Sequence, residues 1–182
     1  MLGFAKTRTT RKANPEIVQN LYMTVMTMVR QPVFYTRFAV PDTTDGRYDL
    51  MCLILSLTLF RVQQIDPETA QALFDWSFKN TELGLREAGV GDLGVPKHMK
   101  RMLEAFYGRA AAYYEALEQQ DQEGLAIIVA RNLYNSGAVT QQAREVAEWV
   151  RIVSQFLGQS DAQDFLQNPD ILLQLIPPSD EK

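Results

Sequence analysis

The apolar run at residues 50–60 constrains this chain more than any other segment. Only Ser56 and Thr58 interrupt it, and Asp49 and Arg61 close it at either end. A helix needs about 20 apolar residues to span a bilayer, so the run is too short to cross one. A helix that is hydrophobic on most of its sides has to be enclosed by other elements. Residues 48–64 are therefore expected to form the central helix of a domain whose other parts surround it.

Those other parts carry helical period. Asn14 followed by Pro15 is a cap before a favourable first helical position, and Ile17, Leu21, Val25 and Met28 then recur on one face, predicting a helix over 15–30. Pro32 breaks it, and 33–38 reads as a short aromatic turn. Asp66-Pro67 repeats the cap-and-proline start. Ala70, Leu73, Phe74, Phe78, Leu83 and Leu85 carry that helix to about Ala88, where Gly89 stops it. Pro96 opens a long helix striped by Met99, Met102, Leu103, Phe106, Ala110, Tyr113 and Leu117. Leu125, Ile128, Val129 and Leu133 mark another, ended at 135–137. Thr140 caps a helix with Val146, Trp149, Val150, Val153 and Phe156 on one face, and Asp161 and Asn168-Pro169 start two short terminal ones. No useful strand alternation and no long-period repeat is present. The expected fold is all-α: a single compact domain of about six to eight helices, a mainly antiparallel bundle, with Leu53, Leu57, Phe106, Trp149 and Val153 in its core. The helical domain is expected over 14–176, between a basic arm at 1–13 and a polar tail at 177–182.

The net charge of −4 argues against DNA as a partner. The charge is unevenly spread, because Lys6, Arg8, Arg11 and Lys12 meet no acid in residues 1–12, and such an arm can associate with phosphate. One cysteine, Cys52, allows no internal disulfide and fits a reducing compartment. Residues 1–15 lack the apolar stretch of a secretory signal, so a soluble protein is expected.

Enzyme chemistry finds little to work with. His98 is the single histidine, and one histidine with one cysteine is too few for a zinc site. A haem held by His98 and a methionine is a minor alternative, as is a small-molecule enzyme in the bundle. No nucleophile elbow and no phosphate-binding glycine loop occurs. Gly91-Asp92-Leu93-Gly94 has the spacing of an RNA-clamping loop, but it carries an acid and lacks a sheet, so a turn between helices is the better reading. Asp42, Asp45 and Asp49 do not have calcium-loop spacing. Asp45-Gly46 reads as a tight turn, with Arg47 able to pair with Asp45 or Asp49. No metal and no cofactor is expected. Met23, Met26, Met28, Met99 and Met102 suit either adaptable binding or core filling.

Two loops, 40–49 and 89–97, mix Gly, Pro, Asp and basic residues densely at the mouths of apolar helices. Beside the second, Lys97, Lys100 and Arg101 fall on adjacent helical positions. Such loops either set a backbone path or present charge to a partner. They are expected to lie side by side at one end of the bundle.

The segment Phe34-Tyr35-Thr36-Arg37-Phe38-Ala39-Val40-Pro41-Asp42-Thr43-Thr44-Asp45-Gly46-Arg47-Tyr48-Asp49-Leu50 resembles the opening signature of the ubiquinol–cytochrome c chaperone family. Val90-Gly91-Asp92-Leu93-Gly94-Val95, Lys97-His98-Met99-Lys100-Arg101-Met102 and Phe106-Tyr107-Gly108-Arg109 resemble its second, and Gly124-Leu125-Ala126 through Arg131-Asn132-Leu133-Tyr134-Asn135 its third. The resemblance spans roughly 15–157 and is closest to the alphaproteobacterial branch. It implies a non-enzymatic assembly factor whose client is nascent cytochrome b of respiratory complex III. It further implies work near the ribosome and the inner-membrane surface. No counterpart of the mitochondrial members' small partner protein is evident. The expected location is the bacterial cytoplasm, peripheral to the inner membrane, with the mitochondrial matrix side as alternative. The residues expected to face the client are Tyr35, Arg37, Phe38, Pro41, Asp42, Asp45, Arg47, Asp92, Lys97, Lys100, Arg101 and Tyr107. Lys6, Arg8, Arg11 and Lys12 are expected to act as an electrostatic arm.

Overall fold

The computed structural model describes residues 12–178. Its elements are α1 (Pro15–Val29), α2 (Val33–Thr36), α3 (Thr44–Ile65), α4 (Pro67–Glu87), α5 (Val95–Glu118), α6 (Gln122–Tyr134), α7 (Gln141–Gln159), α8 (Ala162–Gln167) and a closing 3-10 helix (Pro169–Leu175). No strand occurs among the described residues, and the fold is all-α. Lys6, Arg8, Arg11 and most of the polar tail lie outside the described residues.

The helix starts follow from local chemistry. Asn14 accepts the Glu16 amide at 3.0 Å, Asp66 those of Glu68 and Thr69 at 3.2 and 3.4 Å, and Thr140 that of Ala143 at 3.2 Å. Asp121 caps α6 through the Gly124 amide at 2.9 Å. Asp66 ends α3 and begins α4, so these two helices are joined at one residue. At the other end of α4, Gly89 turns left-handed (φ +86°), and the Val90 amide returns to the Leu85 carbonyl at 3.0 Å, closing the helix.

α3 is the axis of the fold. It packs against α1, α4, α5, α6 and α7. Leu50 through Leu59 are all buried, and the five residues named as core from the sequence, Leu53, Leu57, Phe106, Trp149 and Val153, are buried as expected. The two polar interruptions are satisfied within the helix. Ser56 donates to the Cys52 carbonyl at 2.6 Å and Thr58 to that of Ile54 at 3.0 Å. Tyr114 of α5 donates to the Ser56 carbonyl at 2.6 Å, tying a second helix to the axis.

Two features of α3 differ from the sequence reading. It begins at Thr44 rather than Tyr48, capped by Thr43 Oγ1 on the Gly46 amide at 3.1 Å. Asp45-Gly46 is thus the first helical turn, not a tight turn in a loop. Gly46 is needed there because the chain doubles back closely: a Cβ would lie 2.0 Å from the Pro41 carbonyl oxygen. The earlier start also gives α3 22 residues, a length and composition sufficient to cross a membrane, although most of its central window is buried against other helices.

The C-terminal segment is anchored across the bundle. Thr24 donates to Asp170 at 2.5 Å, and the Trp149 indole to the Leu175 carbonyl at 2.8 Å. Trp149 also meets Phe34 edge-on at 5.0 Å, which pins the short α2.

Gly46→Ala should destabilise the protein by about 1–3 kcal/mol, because the clash is with backbone rather than a movable side chain. Gly108→Ala, at an exposed helical site with nothing within 4 Å of the added methyl, should stabilise by about 0.5–1 kcal/mol. Urea denaturation of the two variants distinguishes close approach from simple turn propensity.

Candidate functional site

At its N-terminal end α3 leaves the core, and a cleft of about 1000 Å³ opens over it. Thr44, Asp45, Tyr48 and Asp49 form the floor. Tyr22 and Met26 of α1, with Asn80, Thr81, Gly84, Leu85 and Ala88 from α4 and its cap, form one wall. His98, Arg101, Met102, Glu104, Ala105 and Arg109 of α5, with Arg131, Asn132 and Asn135 at the end of α6, form the other. The α1/α4 wall bears no charged residue. The α5/α6 wall bears three arginines and one glutamate, and Glu104 lies 3.9 Å from Lys100.

A polar network runs beneath the cleft. Asp49 and Arg109 form a half-buried ion pair at 2.5 Å. Burial weakens the acidity of Asp49, which the nearby arginine only partly offsets. Burial also works against the Arg109 charge, but Asp49 outweighs it and keeps the guanidinium strongly basic. Tyr48 donates to the Met102 carbonyl at 3.3 Å, and burial pushes its phenol well above the ordinary range. Burial likewise pushes the Cys52 thiol up to about 12.

The residues expected to face a partner separate into groups. Asp45 and Arg101 line the cleft. Arg47 pairs with Asp42 at 2.6 Å, not with Asp45 or Asp49, and its guanidinium covers the Tyr35 ring at 4.8 Å. Tyr35 is half-buried and donates to the Val29 carbonyl. Arg37 approaches Glu145 at 3.9 Å and donates to the Pro178 carbonyl at 3.1 Å. Asp92 pairs with Arg86. Pro41, Lys97 and Lys100 are exposed outside the cleft, and Tyr107 stands against Phe74 at 5.5 Å. Lys12, the one arm residue within the described chain, is exposed. Phe38 requires correction: it is 1% exposed and packs against Phe34, so a client cannot reach it.

Loops 40–49 and 89–97 therefore do not make one charged rim. Arg47 and Arg86 pair Asp42 and Asp92 locally, and of these two segments only Thr44, Asp45, Tyr48 and Asp49 line the cleft. Arg131 and Asn132 line the cleft although little in the sequence marks them as site residues. The one sign was their place in the third signature, and at the end of α6 they resemble an ordinary solvated terminus. Of the methionines, Met26 and Met102 line the cleft, Met28 is core, and Met23 is exposed.

The sequence pattern of the family described as ubiquinol–cytochrome c chaperone matches residues 36–170. The chain belongs to this family. A crystal structure of the Cbp3 homolog from Brucella abortus is similar over 84% of this chain and 86% of that one, at 34% identity and a TM-score of 0.76. No curated protein matches the chain. The matched span holds the floor of the cleft and both walls except Tyr22 and Met26, which α1 contributes.

Two measurements test this account. Because the folded protein holds the Asp49 proton more tightly than the unfolded chain does, folding binds protons as pH rises through the ordinary carboxyl value of 3.8, and stability falls in that window. Asp49→Asn should remove this component, so its urea midpoint relative to the native protein should rise between about pH 4 and pH 6. A relative fall would show that the ion pair outweighs burial. Separately, Cys52 should resist alkylation at pH 8 in the folded protein and react fully once denatured, because it is buried and protonated.

Proposed function

We propose that the protein is a non-enzymatic assembly chaperone that binds newly synthesised cytochrome b, or a similar membrane-protein client, while respiratory complex III is built. Membership of the chaperone family supports a client-binding role. The observation that carries the reading further is the cleft at the head of α3, with one uncharged wall and one arginine-bearing wall. A preformed helical trough of this kind can take a client helix as an added member. The side chains that could act as nucleophiles are poorly suited to chemistry. Cys52 is buried as the thiol, and Tyr48 is held as the neutral phenol.

The reading carries a location, the bacterial cytoplasm at the inner-membrane surface, with the mitochondrial matrix side as its counterpart. Lys6, Arg8, Arg11 and Lys12 would add a salt-sensitive attraction to anionic lipid or ribosomal RNA near the site of synthesis.

A photoreactive residue at Thr81 or Ala105, on opposite walls of the cleft, should crosslink to cytochrome b during its synthesis in cells. The same residue at Ile127, exposed on α6 and not among the cleft-lining residues, should not. Equal capture from both places, or none from the cleft, would sink the proposal.

A further inference from the structure

Asn132 is the least explained polar group in the cleft. It is 8% exposed, and its Nδ2 is buried without a well-formed hydrogen bond. Its Oδ1 is occupied, accepting from Arg131 Nε at 3.2 Å. Turning the amide over would set its NH2 against that guanidinium, so the arrangement is fixed and the weakly held group is a donor. The Tyr113 hydroxyl oxygen stands beside that donor and accepts from it only loosely. With Nδ2 against the Tyr113 oxygen and Oδ1 on Arg131 Nε, the buried amide fixes Arg131 at the edge of the cleft.

The charges around that arginine point to an oxyanion. Asp49 is engaged by Arg109, and Glu104 stands near Lys100. Arg101 and Arg131 face no carboxylate among the described residues, and the one cleft acid without a partner is Asp45 on the floor. Across from them the α1/α4 wall offers Tyr22, Met26, Leu85 and Ala88 without a charge. A ligand that satisfies both walls has an apolar face and an oxyanion on the opposite side.

Resting on the client-binding reading of this cleft, we infer that it recognises an acidic amphipathic segment of the client. A Glu or Asp carboxylate is held by Arg131, which Asn132 positions, and the segment's apolar face lies on the α1/α4 wall. The acid selects register and orientation, while the apolar face supplies most of the contact.

The test uses the full chain and a fluorescent synthetic peptide of about three helical turns, leucine-rich on one face with a single Glu on the other. At low salt it should bind about tenfold more tightly than its Glu→Gln counterpart, the difference expected of one charge-assisted contact. Arg131→Gln should reduce that preference to about twofold or less, whereas Arg144→Gln, outside the cleft and paired with Glu123, should leave it intact. Arg131 is exposed, so its replacement should not unfold the protein. Asn132→Asp should abolish the preference, because the new carboxylate pairs with Arg131 itself.

Equal binding of the two peptides to the native protein would overturn the inference, as would a preference that survives Arg131→Gln. So would Arg131-dependent binding of inorganic phosphate or phosphatidylglycerol vesicles with neither peptide bound. Crosslinking of cytochrome b in the cleft without a Glu preference would remove only the carboxylate inference. Loss of both would remove the client reading too.

Discussion

The enclosure of α3 is the constraint on which the rest of the structure depends. Nothing in its central turns can face water, so five helices have to be brought against it, and their apolar stripes are spent on that surface. Its own polar side chains turn back onto its carbonyls, which lets an almost uninterrupted apolar helix carry Ser56 and Thr58 without leaving an unpaired hydroxyl. At its N-terminal end the neighbours leave Thr44, Asp45 and Arg47 exposed and Tyr48 and Asp49 half-covered. The cleft exists because α4 and α5, linked by the turn at 89–94, part over this end of the helix.

The same constraint explains the charges. Around the surface several acids and arginines find each other, as Asp42 does Arg47, Asp92 does Arg86, and Glu123 does Arg144. Exposed pairs of this kind contribute only about 0–1 kcal/mol each and mainly hold loops in place. In the cleft the balance differs. Asp49 draws Arg109 inward beside the core, and the guanidiniums of Arg101 and Arg131 are left on one wall opposite a wall with none. A surface so divided can orient a bound segment as well as hold it, which suits a client-binding chaperone.

The helices were legible from the sequence because their causes are local. Asn14, Asp66 and Thr140 cap where a proline or an apolar stripe follows, and a period of 3.6 in the stripes identifies the buried faces of α4, α5 and α7. The sequence places the start of α3 too late because Asp45-Gly46 normally signals a turn. The glycine instead answers to Pro41, a neighbour whose approach no local pattern encodes. The burial of Phe38 is hidden in the sequence for a related reason: an aromatic in a signature can serve either a partner or the core, and only its packing against Phe34 separates the two.

The sequence by itself determined that the chain would be helical, where most helices begin and end, and which helix would be central, since capping, proline geometry and apolar period act over a few residues. Its signature segments also marked the family. The tertiary structure alone decided the site. Asp49 meets Arg109 across 60 positions of chain, and Arg131 and Asn132 come to the cleft from the far end of α6. Whether an arginine is solvated, paired or turned toward a cleft depends on which helices pack beside it. That choice is made by the burial of α3, not by the residues next to the arginine in the chain.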